Sequence, residues 1–378
     1  MPALLRALNE RTVLDAVRAA GPVSRAEVAR QTGISRPTVS LVLRSLLDDG
    51  LVREAAVDPD RPHYGAVYYE ADPEVAVVLG VDFGSRVVRT ALCDLTGEVR
   101  AKEELRSRGT VEERIAALES SVRSLLRTSK LPGDLLEKAV VALPAVVSPT
   151  DGRVSSPDLA GLGASDLREQ LERALRTSVV LENDVNLAAL AEQRHGVARD
   201  VDDFAFLLVG AGLGAAVVLD RKLHRGHNGA AGELDAVRMG REDDVDPCAA
   251  AISKLAGDRA AREQTALEAP YEMRNLFAAA RDGDPVAAAV VEETARRIAL
   301  HVLPLAATLD LPLVVLGGNV GANAGLLEPL RRHLDGWLPF PAPRVEVSAL
   351  GEAAVIEGAL AAGVDAALER VFARRVRA

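Results

Sequence analysis

The chain has 378 residues, 48% of them hydrophobic and 3% aromatic, and its formal net charge is −10. This length predicts two or three domains. The acidic total excludes a protein that is basic throughout, although it leaves room for a small basic module. Two distant cysteines exclude a disulfide framework. With neither a signal-peptide pattern nor an apolar run of roughly 20 residues, we expect a cytoplasmic protein that has no membrane segment.

The first 50 residues carry the start and stop signals of three helices. Apolar residues recur at helical spacing over residues 4–20. The pattern Ser24-Arg25-Ala26-Glu27 is typical of a capping box and predicts a short second helix, with a tight turn at Thr32-Gly33 after it. Ser35 is the predicted cap of a third helix, which ends at Asp48-Asp49-Gly50.

A helix, a short helix, a glycine turn and a longer helix form the plan of a helix-turn-helix domain. Residues 1–47 hold seven arginines and three acidic residues, a local charge of +4. Two strand-like runs, 51–55 and 66–70, follow as the hairpin of a wing. We therefore predict that residues 1–71 bind double-stranded DNA; the alternative is a three-helix protein-interaction module. The predicted DNA contacts are Ser24, Arg25, Ser35, Arg36, Pro37, Thr38, Ser40, Arg44 and, in the wing, Arg61.

Beyond residue 75 the chain alternates buried strands with glycine-rich turns. The turn Asp82-Phe83-Gly84 brings a carboxylate and an accessible backbone to a place that suits a phosphate or a hydrated cation, with a plain tight turn as the alternative. Residues 210–214 read Gly-Ala-Gly-Leu-Gly and precede a strand rather than a helix. We therefore predict a β-hairpin phosphate clamp and not a dinucleotide loop. A third turn, Gly317-Gly318-Asn319, suits close packing of a planar ligand.

The hexapeptide Leu181-Glu182-Asn183-Asp184-Val185-Asn186 stands where a predicted strand meets a helix predicted over Leu187 to Arg194. Ligand sites are common at such strand ends in α/β folds. Asp184 can take a proton from a hydroxyl of a ligand, and Asn183 can hold a neighbouring hydroxyl. The alternative is that Asn183 or Asp184 simply caps the helix.

Together these residues resemble the ROK family (repressors, open reading frames and kinases) over nearly the whole chain. The resemblance implies an N-terminal winged helix-turn-helix domain followed by a two-lobed α/β actin-like domain. That fold is ribonuclease H-like and is shared by sugar kinases, Hsp70 and actin. Residues 75–185 plus 350–378 are then the first actin-like lobe, and residues 186–349 the second. Arg61-Pro62 resembles an arm that reads the minor groove.

The resemblance also assigns roles to the motifs. Asp184 matches the base of the family's kinases within a sugar-site motif, and Glu233 lies in a further sugar-contact segment. The expected effector contacts are Asp158, Asn183, Asp184 and Glu233. The expected remnants of a nucleotide site are Asp82, Gly84, Gly210, Gly212, Gly214, Gly317 and Gly318.

Departures from the kinase pattern decide the expected function. Asp235-Ala236 replaces the kinase Gly-His pair, and residues 241–256 hold one cysteine and no histidine. The family's four-coordinate zinc therefore lacks its ligands, and we expect no metal or other cofactor. Ser85-Arg86 replaces the Gly-Thr that surrounds phosphate in kinases, and Asp158 stands where the sugar site usually has Asn.

These departures predict a non-enzymatic transcriptional regulator, usually a repressor in this branch of the family. As a homodimer or homotetramer it would bind a palindromic DNA operator and sense a small effector, with a sugar as the expected class. Two alternatives stay open. One is an ATP-dependent sugar kinase that uses Asp184 as its base; the other is a regulator whose degenerate cleft binds a non-sugar ligand or none.

Overall fold

The structure is a computed structural model that describes residues 3–56, 66–84, 87–106, 109–129, 131, 135–155, 164–234 and 245–377. Within these ranges, no helix is both long enough and apolar enough to cross a membrane.

The N-terminal domain is a three-helix unit closed by a small sheet. Its third helix presents an apolar stripe to the first two, because residues spaced three and four apart share one face of a helix. The three strands pair antiparallel in the order β1-β3-β2. The elements are α1 (Ala3–Ala20), β1 (Val23–Ser24), α2 (Arg25–Thr32), α3 (Arg36–Asp48), β2 (Val52–Glu54) and β3 (Tyr68–Ala71). The helix-turn-helix and its strand hairpin are confirmed, and the wing loop, residues 57–65, lies outside the described residues.

The next part of the chain builds a five-stranded mixed sheet in the order β10-β7-β4-β5-β6. Strands β4, β7 and β10 run parallel to one another, so their carboxyl ends meet at one edge. The elements are β4 (Val77–Phe83), β5 (Val87–Asp94), β6 (Val99–Arg106), α4 (Val111–Ser129), β7 (Leu136–Leu143), β8 (Val146–Val147), β9 (Val154–Ser155), α5 (Ala164–Leu175) and β10 (Val179–Asn183).

A second five-stranded sheet follows in the order β13-β12-β11-β14-β15. Its first elements are α6 (Asp184–His195), β11 (Phe204–Val209), β12 (Leu213–Leu219), β13 (Lys222–His224), α7 (Ala249–Ala260), α8 (Met273–Arg281) and α9 (Pro285–Leu309). The rest are β14 (Leu313–Gly317), α10 (Gly318–Gly321), α11 (Leu327–Trp337), β15 (Arg344–Val347) and α12 (Ala354–Arg377). Two mixed sheets with helices on their faces are the predicted α/β architecture.

Helices α6 and α12 cross between the two sheets, α12 against the first sheet and α6 against the second. Glycines let this layer close tightly. A Cβ on Gly358 of α12 would lie 1.9 Å from the carbonyl oxygen of Leu187, and one on Gly363 would lie 2.3 Å from a methyl group of Val78. The N-terminal domain shares its apolar core with α12 and with the same face of the first sheet, whereas α4 and α5 cover the opposite face.

Two sequence predictions are wrong in detail. The helix predicted from Leu187 begins at Asp184, because Asn183 ends its strand and caps the helix directly. Gly214 was placed in a turn but lies within β12 and faces Val185 of α6. A Cβ there would stand 2.9 Å from the Val185 methyl group, so the glycine serves the packing of α6 on the second sheet.

Candidate functional site: ligand cleft and nucleic-acid interface

Local hydrogen bonds fix the helix-turn-helix. In the capping box, the Glu27 carboxylate accepts from the Ser24 amide at 2.8 Å, while the Ser24 hydroxyl accepts from the Glu27 amide. Gly33 ends α2 with a φ of 69°, a left-handed conformation that glycine adopts without strain. Ser35 caps α3 by accepting from the amide of Thr38. The turn therefore holds α3 at a defined angle to α2.

The face of α3 away from the core is polar and accessible. Arg36, Pro37 and Arg44 are exposed, and Thr38 and Ser40 are half-buried beside them. The buried stripe opposite consists of Val39, Val42, Leu43 and Leu46. Guanidinium and hydroxyl groups on one helix face suit phosphates and base edges.

Two predicted DNA contacts, Ser24 and Arg25, have other partners in the structure. The Ser24 hydroxyl donates to Glu27 at 2.7 Å and so completes the cap. The Arg25 side chain hydrogen-bonds the hydroxyl of Tyr69 and lies 5.3 Å from the centre of its ring. These contacts tie α2 to β3. Arg61 lies outside the described residues, and the DNA roles of all nine residues stay predictions.

The second candidate site is the cleft edge where β4 and β10 end. Asp82 lies near the end of β4, and Asn183 ends β10. Asn183 is the N-cap of α6: its side-chain oxygen accepts from the amide of Asn186 at 3.1 Å, and its amide group donates to the carbonyl of Ala145 at 3.1 Å. The cap interpretation is thus correct. An Asn amide carries two N–H groups, and within the described ranges only the bond to Ala145 is formed by this amide, so the second N–H can point to a ligand.

Asp184 sits in a cluster of carboxylates. Burial raises its pKa to about 7, and the negative charge of Asp82 and, more weakly, that of Glu233 act in the same direction. A hydrogen bond from the amide of Val185, at 2.8 Å, partly opposes the shift. Asp184 therefore exchanges its proton near neutral pH, so it can accept or donate a hydrogen bond there.

Asp82 has an internal counter-ion. Burial raises the pKa of its carboxyl, and Arg89 opposes that shift through a contact of 3.2 Å. The same guanidinium also contacts Glu104 at 2.9 Å and Glu352 at 3.3 Å. Arg89 thus pairs with the carboxylate of the turn that, by sequence, suits a phosphate or a hydrated cation. Sequence analysis missed this residue, whose signal was an arginine in the strand opposite Asp82.

The segment that carries Glu233 is bound to the first sheet and to β12. Glu182 of β10 contacts Arg225 at 2.7 Å and accepts from the Asn186 side chain at 2.9 Å. The carbonyl oxygen of Gly232, which has a φ of 89°, accepts a hydrogen bond from the amide of Ala215 at 2.8 Å. Glu233 follows Gly232 directly, and its charge acts on Asp184. Asp158 lies outside the described residues.

The two parts of the chain match different protein families. Residues 78–364 match the ROK family, and residues 7–61 match the MarR family. The chain belongs to the ROK family. Residues 78–364 are called the ROK domain below.

Relatives with known names include regulators and kinases. The xylose repressor of Caldicellulosiruptor bescii is 25% identical over 383 residues, which cover 95% of this chain and 96% of the repressor. The crystal structure of a ROK family transcriptional regulator, a homologue of the E. coli MLC protein, covers 97% of this chain and 99% of its own, with 23% identity and a TM-score of 0.77. A ROK family glucokinase from Streptomyces griseus, in complex with glucose and AMPPNP, covers 77% of this chain and 100% of its own, with 24% identity and a TM-score of 0.66.

Several glycines of the expected nucleotide remnants are explained by packing within the ROK domain. A Cβ on Gly317 would lie 2.4 Å from the ring of Phe206, and one on Gly318 would lie 2.3 Å from the carbonyl oxygen of Val209. Gly210 turns the chain after β11, and its carbonyl accepts from the amide of Ala249 at 2.8 Å. Gly317 and Gly318 therefore need to be glycine for the fold itself. A nucleotide role for them, and for Gly84, Gly210 and Gly212, stays a prediction.

Among the described residues, no group of three or more His, Cys, Asp or Glu side chains is placed to hold a metal ion. Cys248 is a buried thiol that precedes α7. The region of Asp235-Ala236 and residues 241–244 lies outside the described residues. The expected lack of the family's zinc therefore stays a prediction.

The raised pKa of Asp184 predicts a pH-dependent stability. Because the folded value, about 7, lies above the ordinary 3.8, the folded protein holds a proton that the unfolded chain has released. The contribution of this bound proton to the free energy of unfolding is fully present below about pH 4 and is lost as the pH rises through about 7. Asp184→Asn, which stays neutral, should raise the free energy of unfolding relative to wild type at pH 8, and the gain should shrink towards pH 5.

Urea unfolding at both pH values measures this difference. Asp151→Asn is the control, because the Ser148 hydroxyl and the backbone amide of Arg153 lower the pKa of that exposed carboxyl. Its stability difference from wild type should be the same at pH 5 and pH 8. A gain in Asp184→Asn that does not grow with pH would contradict the assignment.

Proposed function

We propose that this ROK-family chain is a DNA-binding transcriptional regulator of the repressor type. The observation that carries the proposal is the accessible polar face of α3 in a helix-turn-helix that is joined through one apolar core to α12 of the ROK domain. The DNA-reading helix and the ligand cleft thus lie in two domains that are packed together. Such helices read half-sites about one helical turn apart, so the active form is a homodimer or a larger symmetric homo-oligomer on a palindromic operator.

The effector is a small polyhydroxylated molecule, with a sugar or sugar derivative as the expected class. Asn183 can offer its second side-chain N–H group, which has no partner in the described part of the chain, and the carboxylates of Asp184 and Glu233 accept hydrogen bonds from hydroxyls. The relative named as a xylose repressor supports this class. Asp184 acts here as a hydrogen-bonding residue of a sensor.

The protein does not phosphorylate its effector. Asp184 occupies the position of a kinase base, and its pKa of about 7 would suit that role. Phosphoryl transfer also needs positive charge at the transferred phosphate and open space beside it. Arg89 already neutralises Asp82 and also contacts Glu104 and Glu352, so its guanidinium brings no unpaired positive charge to a phosphate.

Helix α6 connects the cleft to the DNA-binding domain. Its first residue is Asp184, and its last turn carries Arg194, about 15 Å away at 1.5 Å per residue. Arg194 contacts Asp365 of α12 at 3.1 Å, and Arg11 of α1 contacts the same carboxylate at 3.2 Å. Asp365 is therefore shared between the helix that starts in the cleft and the first helix of the DNA-binding domain.

The contact between α1 and the ROK domain can change at little cost. A cavity of about 720 Å³ lies between α1, the β5–β6 hairpin and the helices α6 and α12. Half-exposed ion pairs such as those of Asp365 contribute roughly 0–1 kcal/mol each. An effector that moves α6 thereby changes the partners of Asp365 and the position of α1. It alters DNA affinity by as much as it binds the two arrangements differently.

The full chain should bind a duplex that spans the DNA upstream of its own gene, in the presence of competitor DNA at low salt. Arg36→Ala should weaken binding and make the slope of log Kd against log salt shallower by about 2, because each subunit of the dimer loses one phosphate contact. Fluorescence anisotropy over a salt series measures both effects. Arg127→Ala is the control, since this exposed arginine ends α4 on the face of the first sheet away from the DNA-binding domain. If the wild type binds no duplex, the proposal of DNA binding is wrong.

Incubation of the full chain with ATP, Mg²⁺ and D-glucose or D-xylose should give no sugar phosphate above a protein-free blank, because Arg89 occupies Asp82. Mass spectrometry of the products is the measurement, and a ROK family glucokinase assayed in parallel is the positive control. Sugar phosphate that forms with the wild type and disappears in Asp184→Asn would contradict the non-enzymatic proposal.

Asp365→Asn should loosen α1, because the neutral side chain no longer binds two guanidinium groups. We expect faster amide hydrogen exchange in α1 than in the wild type, with exchange in α9 unchanged. Asp335→Asn, an exposed substitution on α11, is the matched control. Equal exchange in α1 of both variants and the wild type would show that Asp365 does not couple α1 to the ROK domain.

A further inference from the structure

Leu41 has an exposure that the fold does not explain. Its side chain is 67% exposed, the highest value for a large hydrophobic residue in the described part of the chain. It lies in the middle of α3, directly opposite the buried stripe of that helix. At helical spacing the outermost line of α3 is Pro37, Leu41, Arg44 and Asp48. Leu41 is thus central on the face that points away from the domain.

The surroundings of Leu41 define what can cover it. Arg44 follows it by three residues, and Ser40 and Thr38 flank it on either side of the outer line. Arg36 stands exposed in the first turn of the same helix. A surface that packs on this face must therefore present a small apolar group that is surrounded by hydrogen-bond acceptors and negative charge. The major groove of DNA does so, because the C5-methyl group of thymine projects between base acceptors and flanking phosphates.

We propose that Leu41 covers the methyl group of a thymine in each operator half-site and so discriminates among bases. This inference rests on the proposed DNA binding and adds to it a specificity-determining residue. The arginines of α3 supply affinity through phosphates, which carries no sequence information directly. Leu41 supplies selectivity through apolar contact, because burying one methyl group against a leucine favours thymine over a base without it.

The test uses the full-length protein and duplexes that it selects from a pool with a randomised centre. Each thymine of the selected half-site is replaced in turn by deoxyuridine, which lacks only the methyl group. For the wild type, one such replacement, made in a single half-site, should weaken binding about fourfold, the effect of one buried methyl group. In Leu41→Ala the same replacement should change the Kd by less than about 1.5-fold, since the apolar partner is gone.

Leu8→Ala is the matched control, because Leu8 is 61% exposed on α1 and not on α3. It should keep the full thymine dependence of the wild type. Leu41→Ala should keep the melting temperature of the wild type, since an exposed leucine is exchanged for the residue with the highest helix propensity.

The outcomes separate the two proposals. A wild type that selects no duplex overturns DNA binding and the role of Leu41 together. A wild type that selects a site but responds equally to thymine and deoxyuridine overturns the role of Leu41 alone. The same holds if Leu41→Ala responds to deoxyuridine like the wild type, or if it changes only the oligomeric mass in light scattering, which would assign Leu41 to contact between copies of the chain.

Discussion

The close crossing of α6 and α12 is the constraint on which the rest of the molecule depends. At Gly358 the two helices approach so closely that a single added methyl group would overlap the carbonyl of Leu187. This layer joins the two sheets, places Asn183 and Asp184 at one end of α6, and presents Asp365 beside the DNA-binding domain. Packed layers of this kind shift between discrete arrangements and do not deform continuously, which suits a switch.

The proposed lack of phosphoryl transfer rests on the electrostatics of the cleft. Burial raises the pKa of Asp184, and the negative charges of Asp82 and, more weakly, Glu233 add to that rise. A kinase would use a metal ion or phosphate-binding cations to balance such charge when the nucleotide binds. Here Arg89 balances Asp82 from within the sheet and also contacts Glu104 and Glu352. What remains available towards a ligand is a set of hydrogen-bonding groups.

Much of the fold could be predicted from the sequence, because its signals are local. The capping box at Ser24, the turn at Gly33 and the cap at Ser35 each depend on residues within four positions, and all three are present. The start of α6 was predicted three residues late, since an apolar pattern shows where a helix is buried and not where its first turn begins. Gly214 was placed in a turn because glycine favours turns, whereas its reason is the approach of Val185 from another element.

By itself, the sequence predicted the helix-turn-helix with its hairpin, most strands of the two sheets, the family to which the chain belongs, and the candidate cleft residues Asn183, Asp184 and Glu233. Only the tertiary structure decided that Arg89 neutralises Asp82, that Arg11 and Arg194 share Asp365, and that Leu41 faces outward at the centre of α3. The physical reason is distance along the chain. Arg11 and Arg194 meet Asp365 across 354 and 171 residues, and no local pattern records which charges packing brings together.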